Sequence, residues 1–80
     1  MDDSNILRRI GELAKEELAL EEAHVGTALT SDELLRLQKL EVELDQCWDL
    51  LRQRKARRSA GQDPNSATVR SEEVVEHYLQ

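Results

Sequence analysis

Residues 29–61, LTSDELLRLQKLEVELDQCWDLLRQRKARRSAG, decide the fold, because they carry the start, periodicity and end of one long amphipathic helix. At the start, Thr30 and Glu33 form a T-x-x-E capping box, in which each residue satisfies a backbone N–H of the other. At the end, Gly61 is suited to a helix cap, and Pro64 prevents the helix from continuing. We predict a helix that begins at the box and ends just before Gly61.

Apolar residues within this helix recur at alternating spacings of three and four. They are Leu37, Leu40, Leu44, Cys47 and Leu51, with Trp48 beside them. Such a heptad pattern is typical of helices that pack along a seam, as in coiled coils and bundles. We therefore expect a second helix to lie along this seam.

That second helix is predicted upstream, from Asp3 or Ser4 to about His24, with the acidic start placed where the helix dipole favours negative charge. Its seam has the same spacing and two polar interruptions: Ile6, Ile10, Leu13, Glu17, Leu20 and His24. The connection is short and contains Gly26, which is suited to a left-handed C-cap. A short connection between two amphipathic helices predicts an antiparallel helical hairpin.

The C-terminal arm, residues 61–80, follows the hairpin of residues 1–60 within one domain. Its first part is predicted to be a loop, QDPNSAT at residues 62–68. Ser71 can then cap a short helix over residues 72–79. That helix is too short to be stable alone, so it must dock on its own hairpin or on a partner, and the sequence leaves both open.

Length and composition predict self-association. A chain of 80 residues buries a marginal core, and its single Cys excludes an internal disulfide. A hairpin also exposes one flank of each helix, which two copies bury by pairing into a helical bundle. The predicted fold class is therefore all-α, and the predicted assembly is a homodimer. No apolar run approaches the ~20 residues of a membrane span, which favours a cytoplasmic protein without a membrane partner.

The charge of −6 is unevenly distributed, because residues 52–58 are strongly basic in an otherwise acidic chain. The basic cluster contains Arg52, Arg54, Lys55, Arg57 and Arg58. One interpretation is phosphate contact with RNA or a ribosomal surface. The other is local: cations suit a helix C-terminus, and the hairpin brings Asp2 and Asp3 close to Arg52. The local interpretation is favoured, and nucleic acid is kept as an alternative partner.

A carboxylate–histidine group at the other end of the hairpin is a remote alternative. Glu17, Glu21 and His24 follow one another on helix 1, and Glu33 begins helix 2. Di-iron bundles use E-x-x-H pairs with additional glutamates, and a dimer supplies two such sets. The motif is short, and Glu33 already belongs to the capping box. No metal or other cofactor is therefore predicted, and these side chains are interpreted as polar residues that set helix register.

Cys47 lies on the predicted buried seam, without a nearby base, and is interpreted as core packing. Trp48 lies beside the seam, where it either packs within the hairpin or contacts a partner. The sequence contains no Gly-rich phosphate loop and no nucleophile with a base at a plausible distance. We therefore expect no enzymatic activity.

Several stretches together resemble the domain-of-unknown-function family 2630, a group of short actinobacterial proteins. They are MDDSNILRRI at the start, LDQCWDLLRQRKARR at residues 44–58, AGQDP at 60–64 and VEHYLQ at the end. The resemblance covers nearly the whole chain. It implies a cytosolic helical protein and brings neither an activity nor catalytic residues.

The function expected from the sequence is a non-enzymatic adaptor that binds an unidentified protein through helix 2 and the C-terminal arm. Its candidate contact residues are Trp48, Leu51, Tyr78 and Leu79. The alternative is electrostatic binding of RNA or a ribosomal surface by the basic cluster.

Overall fold

The computed structural model describes residues 2–24 and 26–79, with side chains as far as Val75. The helices are α1 (Asp3–Glu22), α2 (Ser31–Ser59) and α3 (Glu72–Leu79), and a 3-10 turn covers Pro64–Ser66. The described residues contain no strand. The all-α prediction of two long helices and a short C-terminal helix is confirmed.

Helix α1 begins where its acidic start predicts, and ends two residues earlier than expected. The carboxylate of Asp2 accepts a hydrogen bond from the backbone N–H of Asn5 at 2.8 Å, which caps the first turn. At the other end the helix cap is Ala23. Gly26 has a φ of 84°, so it is left-handed as predicted. It lies in the turn beyond the helix, however, and not at the cap.

Helix α2 has both of its predicted ends. The Thr30 hydroxyl accepts from Glu33 N at 3.2 Å, and the Glu33 carboxylate accepts from Thr30 N at 3.0 Å, so the capping box is formed. At the far end Gly61 has a φ of 73°. Its N–H donates to Arg58 O at 3.1 Å, and Gln62 N–H donates to Arg57 O at 2.7 Å. These two bonds form a Schellman motif, which satisfies the last carbonyls of the helix.

Helices α1 and α2 form the antiparallel hairpin. Two ion pairs cross between them on one flank: Arg9 with Glu43 at 2.7 Å and Arg36 with Glu16 at 2.6 Å. Pairing the two sequences outward from the turn predicts Leu13 near Val42, and both ion pairs lie within a turn of that register. The seam between the helices holds the apolar core.

The core is small for the length of the chain. Its buried apolar side chains are Ile6, Ile10, Leu13, Leu40, Leu50 and Val75, and Leu44, Cys47, Leu51 and Ala67 pack partly buried around Ile6, Ile10 and Leu50. The radius of gyration is 15.0 Å and the Cα extents are 50 × 25 × 16 Å. A compact chain of this length has a radius of gyration of about 12 Å. The molecule is therefore a thin, elongated body.

The C-terminal arm docks on its own chain. In the part of the chain that the structure describes, helix α3 packs on α2 and not on α1, so α2 is central. Ahead of α3, the extended residues of the arm run along α2. The side-chain amides of Gln53 and Gln46 donate to the backbone carbonyls of Thr68 at 2.7 Å and Arg70 at 3.2 Å. Of the two docking modes that the sequence left open, this structure has the one within the chain.

Candidate interaction surface and the basic end of α2

The basic cluster contains a buried arginine that holds three parts of the chain together. Arg54 is 6% exposed. Its Nε donates to the carboxylate of Asp3 at 2.5 Å, which ties α2 to the first turn of α1. Its Nη1 donates to Pro64 O at 3.3 Å and to Asn65 Oδ1 at 3.0 Å, which ties both helices to the arm. The guanidinium of Arg54 is therefore a structural junction.

A second arginine of the cluster reaches the same carboxylate. Arg58 donates to Asp3 Oδ2 at 2.8 Å from the next turn of α2. The hydrogen bonds from Arg58 and then from Arg54 hold the pKa of Asp3 below its ordinary value. The sequence prediction placed Arg52 near the aspartates, and the same pairing outward from the turn predicts that helix 2 overhangs the start of helix 1 from about Arg54. The structure instead pairs Asp3 with Arg54 and Arg58, so the overhang is about a turn shorter.

The remaining cations of the cluster lie outside this junction. Arg52 and Lys55 are exposed, and Arg57 is half-buried. A phosphate group approaching this end of α2 would therefore meet only part of the predicted cluster. The positive charges of Arg54 and Arg58 are already neutralised in part by Asp3.

A buried carboxylate on the arm-facing side of α2 was also missed by the sequence interpretation. Asp49 is 3% exposed. It accepts a hydrogen bond from Gln53 Nε2 at 3.0 Å and pairs with Arg70 of the arm at 3.6 Å. The spacing of Gln46, Asp49 and Gln53 by three and four residues is the signal that marks this polar stripe.

The signal for Arg54 was present in the heptad pattern. Continuing the seam of α2 beyond Leu51 by three and then four residues arrives at Arg54 and Arg58. These positions face α1 because the seam does. The sequence alone did not show which acidic residue would meet them.

Among the described residues, nothing covers the opposite flank of the hairpin. The Arg9–Glu43 and Arg36–Glu16 pairs mark one flank, and residues two positions away lie about 200° around each helix. Three leucines lie two positions from an ion-paired residue: Leu7 and Leu18 on α1 and Leu34 on α2. Trp48 lies on the same side of α2 as Leu34. All four side chains are about half exposed or more. We call this surface, Leu7, Leu18, Leu34 and Trp48 with the residues between them, the open flank.

The open flank also carries uncompensated negative charge. Burial, followed by the nearby carboxylates of Glu21, Glu41 and Asp45, raises the pKa of Glu17 above its ordinary value. Glu17 is on α1, and Glu41 and Asp45 are on α2, so these carboxylates face one another across the hairpin. Within the described part of the chain, Glu17, Glu41 and Asp45 form no ion pair.

The four predicted contact residues have different positions. Trp48 is 48% exposed on the open flank. Leu51 is partly buried against the core residues Ile6, Ile10 and Leu50. Tyr78 and Leu79 lie in the last turns of α3, and their side chains are outside the described residues. Among them, Trp48 is the side chain that the structure places on an exposed apolar surface.

At the turn end of the hairpin, two members of the carboxylate–histidine group, His24 and Glu33, lie in a local cluster of hydrogen bonds, whereas Glu17 and Glu21 are not part of it. His24 Nε2 lies 2.6 Å from Glu33 Oε2, and His24 Nδ1 lies 2.9 Å from Leu20 O. Hydrogen bonds from Thr30, backbone first, and the nearby His24 hold the pKa of Glu33 below its ordinary value. Among the described residues, no three His, Cys, Asp or Glu side chains are arranged to hold a metal ion. The His24–Glu33 contact joins the turn after α1 to the first turn of α2.

Cys47 has the environment predicted for it. Its side chain is partly buried against the hairpin core. Burial, with a smaller contribution from Glu43, raises the pKa of the thiol above its ordinary value. The thiol is therefore held in its less nucleophilic, protonated form at neutral pH.

Across the described residues, every helix is too short or too polar to cross a membrane.

The fold and its surfaces define a class: a small all-α protein whose central helix carries a second helix and a C-terminal arm, and leaves one flank open. The chain belongs to the family described as protein of unknown function DUF2630, whose model matches residues 2–80. It is similar to an uncharacterised protein of Mycobacterium bovis and to one from each of two strains of Mycobacterium tuberculosis. Each comparison gives 48% identity over 77 residues, 95% of this chain and 88% of the relative. No solved structure matches the chain.

The family resemblance predicted from the sequence is thereby confirmed, and the similar proteins are actinobacterial.

Proposed function

We propose that this protein is a non-catalytic interaction protein that binds another α-helical surface through its open flank. The observation that carries the proposal is the contrast between a small core and a large exposed apolar surface. Large apolar side chains are exposed in comparable number to those that are buried: Leu7, Leu18, Leu34, Leu35, Trp48, Val69 and Val74. Four of these seven, Leu7, Leu18, Leu34 and Trp48, lie on the open flank, and exposed apolar side chains gathered on one side of a small protein are typical of an interaction site.

The arrangement of the flank favours a helical partner. Exposed apolar positions on two antiparallel helices form a shallow groove between two ridges, which fits the ridge of another helix. Beside Leu7, Trp48 supplies a large aromatic side chain, the residue type most often dominant in binding energy. We propose a different role for the arm from the one expected from the sequence, which was to contact the partner. Residues 63–75 cover the arm-facing side of α2 within the same chain, so the open flank is the surface that we propose for docking.

The electrostatic alternative, RNA or ribosome binding by residues 52–58, has less support from the arrangement of the cluster. Arg54 is buried at the junction with Asp3 and the arm, and Arg58 pairs with the same carboxylate. Phosphate affinity depends on the number of cations that contact the backbone. The contact would depend on Arg52, Lys55 and Arg57.

The test is site-specific photo-cross-linking in a mycobacterial host. A photoreactive phenylalanine analogue replaces Trp48 in one variant and Lys15, on the outer exposed face of α1, in the matched control. We expect a discrete adduct at position 48 and none at position 15. The absence of an adduct at 48, or equal adducts at both positions, would exclude the open flank as the docking surface. The mass of the adduct distinguishes a second copy of the chain from a different protein.

A further inference from the structure

A self-complementary row of side chains runs along the open flank of α2. Leu34, Glu41, Trp48 and Lys55 follow one another at intervals of seven residues. Seven residues are close to two helical turns, so the four positions lie in one line along the helix. All four are exposed. Trp48 therefore has a carboxylate two turns before it and an ammonium group two turns after it.

We infer that the partner of the open flank is a second copy of this chain, with the two α2 helices antiparallel and centred on Trp48. This inference rests on the proposed function and specifies its partner. In a two-fold symmetric interface, if residue i contacts residue j, then j contacts i. With Trp48 at the axis, Glu41 of each copy lies opposite Lys55 of the partner subunit. Both charged contacts are attractive, and the two indole rings meet at the centre.

The competing alignments of α2 bring like charges together. A parallel, in-register pair sets Glu41 against the partner's Glu41 and Lys55 against the partner's Lys55. An antiparallel pair that packs Leu34 on the partner's Trp48 again sets Glu41 against the partner's Glu41. Opposed like charges disfavour an interface and select its register. Of these three alignments, the one centred on Trp48 alone brings opposite charges together.

Helix α1 adds an apolar side chain at the same level. The Asp3–Arg54 and Arg9–Glu43 pairs bracket Leu7, so Leu7 stands level with residues 46–48 of α2. Leu7 is 50% exposed on the open flank. In the proposed dimer, Leu7 and Trp48 from both copies surround the two-fold axis. A central apolar cluster with charged pairs at its edge is the usual anatomy of a specific interface.

The charged side chains of the open flank would also gain attractive contacts from a second copy of the chain. Within the described part of the chain, neither Glu41 nor Lys55 forms an ion pair. Glu41 faces Glu17 and lies near Asp45, and no ion pair among the described residues offsets the repulsion between these carboxylates. Lys55 of the partner subunit brings a positive charge to this group. The dimer thus relieves a repulsion that the single chain retains.

The experiment is a charge exchange followed by sedimentation equilibrium on the purified full-length protein. Glu41→Lys alone and Lys55→Glu alone each set like charges across the interface, so we expect each to weaken the dimer roughly tenfold or more. An equimolar mixture of the two variants restores both attractive contacts, one from each copy. The mixture should therefore form a heterodimer about as tight as the wild-type dimer. Lys15→Glu, on the outer face of α1, is the matched control and should leave association unchanged.

The recovery on mixing separates the interface from a folding defect, because a misfolded variant is not repaired by a second one. A wild-type protein that remains monomeric at every concentration overturns the inference. A dimer that is as tight in both single variants as in the wild type, and that is unchanged in the mixture, also overturns the inference. If the purified protein is monomeric while position 48 cross-links to a different protein in cells, the proposed function stands and the second copy is excluded. If position 48 forms no adduct, the proposed function itself fails.

Discussion

The two sides of α2 that do not face α1 differ in how they are completed. The arm-facing side is polar and is closed by the chain's own arm, through Gln46, Asp49 and Gln53. The open flank is more apolar and is closed by nothing in the described chain. Apolar residues are usually found inside and polar residues outside. Here the polar stripe is the covered one, and the apolar stripe is the surface that we propose for docking.

Directional bonding explains the difference. Buried polar groups are costly unless each has a hydrogen-bond partner, so they specify one geometry for the arm. In the described residues, no buried side-chain nitrogen or oxygen lacks a partner. Apolar contacts have no such requirement and accept any complementary apolar surface. The chain thus fixes its internal contact with polar pairs, and the contact that we propose for the open flank would depend on shape and charge.

Among the substitutions that test this comparison, Arg54→Ala should have the largest effect on the free energy of unfolding. The change removes the buried guanidinium that joins Asp3, Pro64 and Asn65, and leaves Asp3 with Arg58 as its remaining side-chain donor. We expect the free energy of unfolding to fall by about 2 kcal/mol, measured by circular dichroism in urea. Arg57→Ala, three residues along the same helix, is the control and should change it by less than about 0.5 kcal/mol. Equal losses in the two variants would mean that Arg54 is no junction.

A smaller effect is expected from Val75→Ala at the docked face of α3. Val75 is buried, and removing two of its carbon atoms should cost about 1.5 kcal/mol. Because α3 is too short to be stable alone, its amide protons should also exchange faster in the variant. Hydrogen exchange followed by mass spectrometry measures this change. Its neighbour Val74 is exposed, so Val74→Ala is the control. If neither variant accelerated exchange in residues 72–79, docking of the arm through Val75 would be excluded.

The smallest effect is on the pH dependence of stability. Glu17 on the open flank and Asp3 at the junction with Arg54 should change it in opposite directions. The pKa of Glu17 is raised, so between its unfolded and folded values the folded state holds more protons, and stability falls as pH rises. Glu17→Gln should therefore raise the melting temperature slightly at neutral pH, and the gain should vanish once pH falls below the ordinary glutamate range. The pKa of Asp3 is lowered, so its contribution is present above the ordinary aspartate value and is lost as pH falls through the lowered one.

Melting temperatures of Glu17→Gln and Asp3→Asn across acid to neutral pH check this pair of expectations. Asp3→Asn should lower the melting temperature at neutral pH and converge with the wild type in acid. A Glu17→Gln variant less stable than the wild type at neutral pH would contradict the repulsion on the open flank.

The sequence predicted the elements well, because each is marked by local chemistry. The capping box at Thr30, the left-handed Gly61 and the Ser71 start of α3 are signals within four residues of chain. The heptad spacing likewise identified Ile6, Ile10 and Leu13 as core. The register was predicted to within a turn because a short connection leaves few alternatives.

The contacts between distant segments were not predictable in the same way. Asp3, Arg54 and Asn65 meet from three separate regions, and nothing in the spacing of any one region identifies the other two. The same holds for Asp49 and Arg70. The basic cluster therefore looked like one surface in the sequence, whereas the structure divides it between a buried junction and an exposed helix face.

The way in which α2 holds the extended arm has a consequence for how this chain can vary. Gln53 and Gln46 bind the carbonyls of Thr68 and Arg70, and Arg54 binds the carbonyl of Pro64. Every residue type offers that carbonyl, so the bond at position 68 persists when its side chain is replaced, whereas Arg70 also pairs with the buried Asp49 through its side chain. We therefore expect sequence drift to be tolerated at position 68, while Arg70 and the donors on α2 are constrained. The arm can change its outward-facing side chains over generations and keep the same path along the helix.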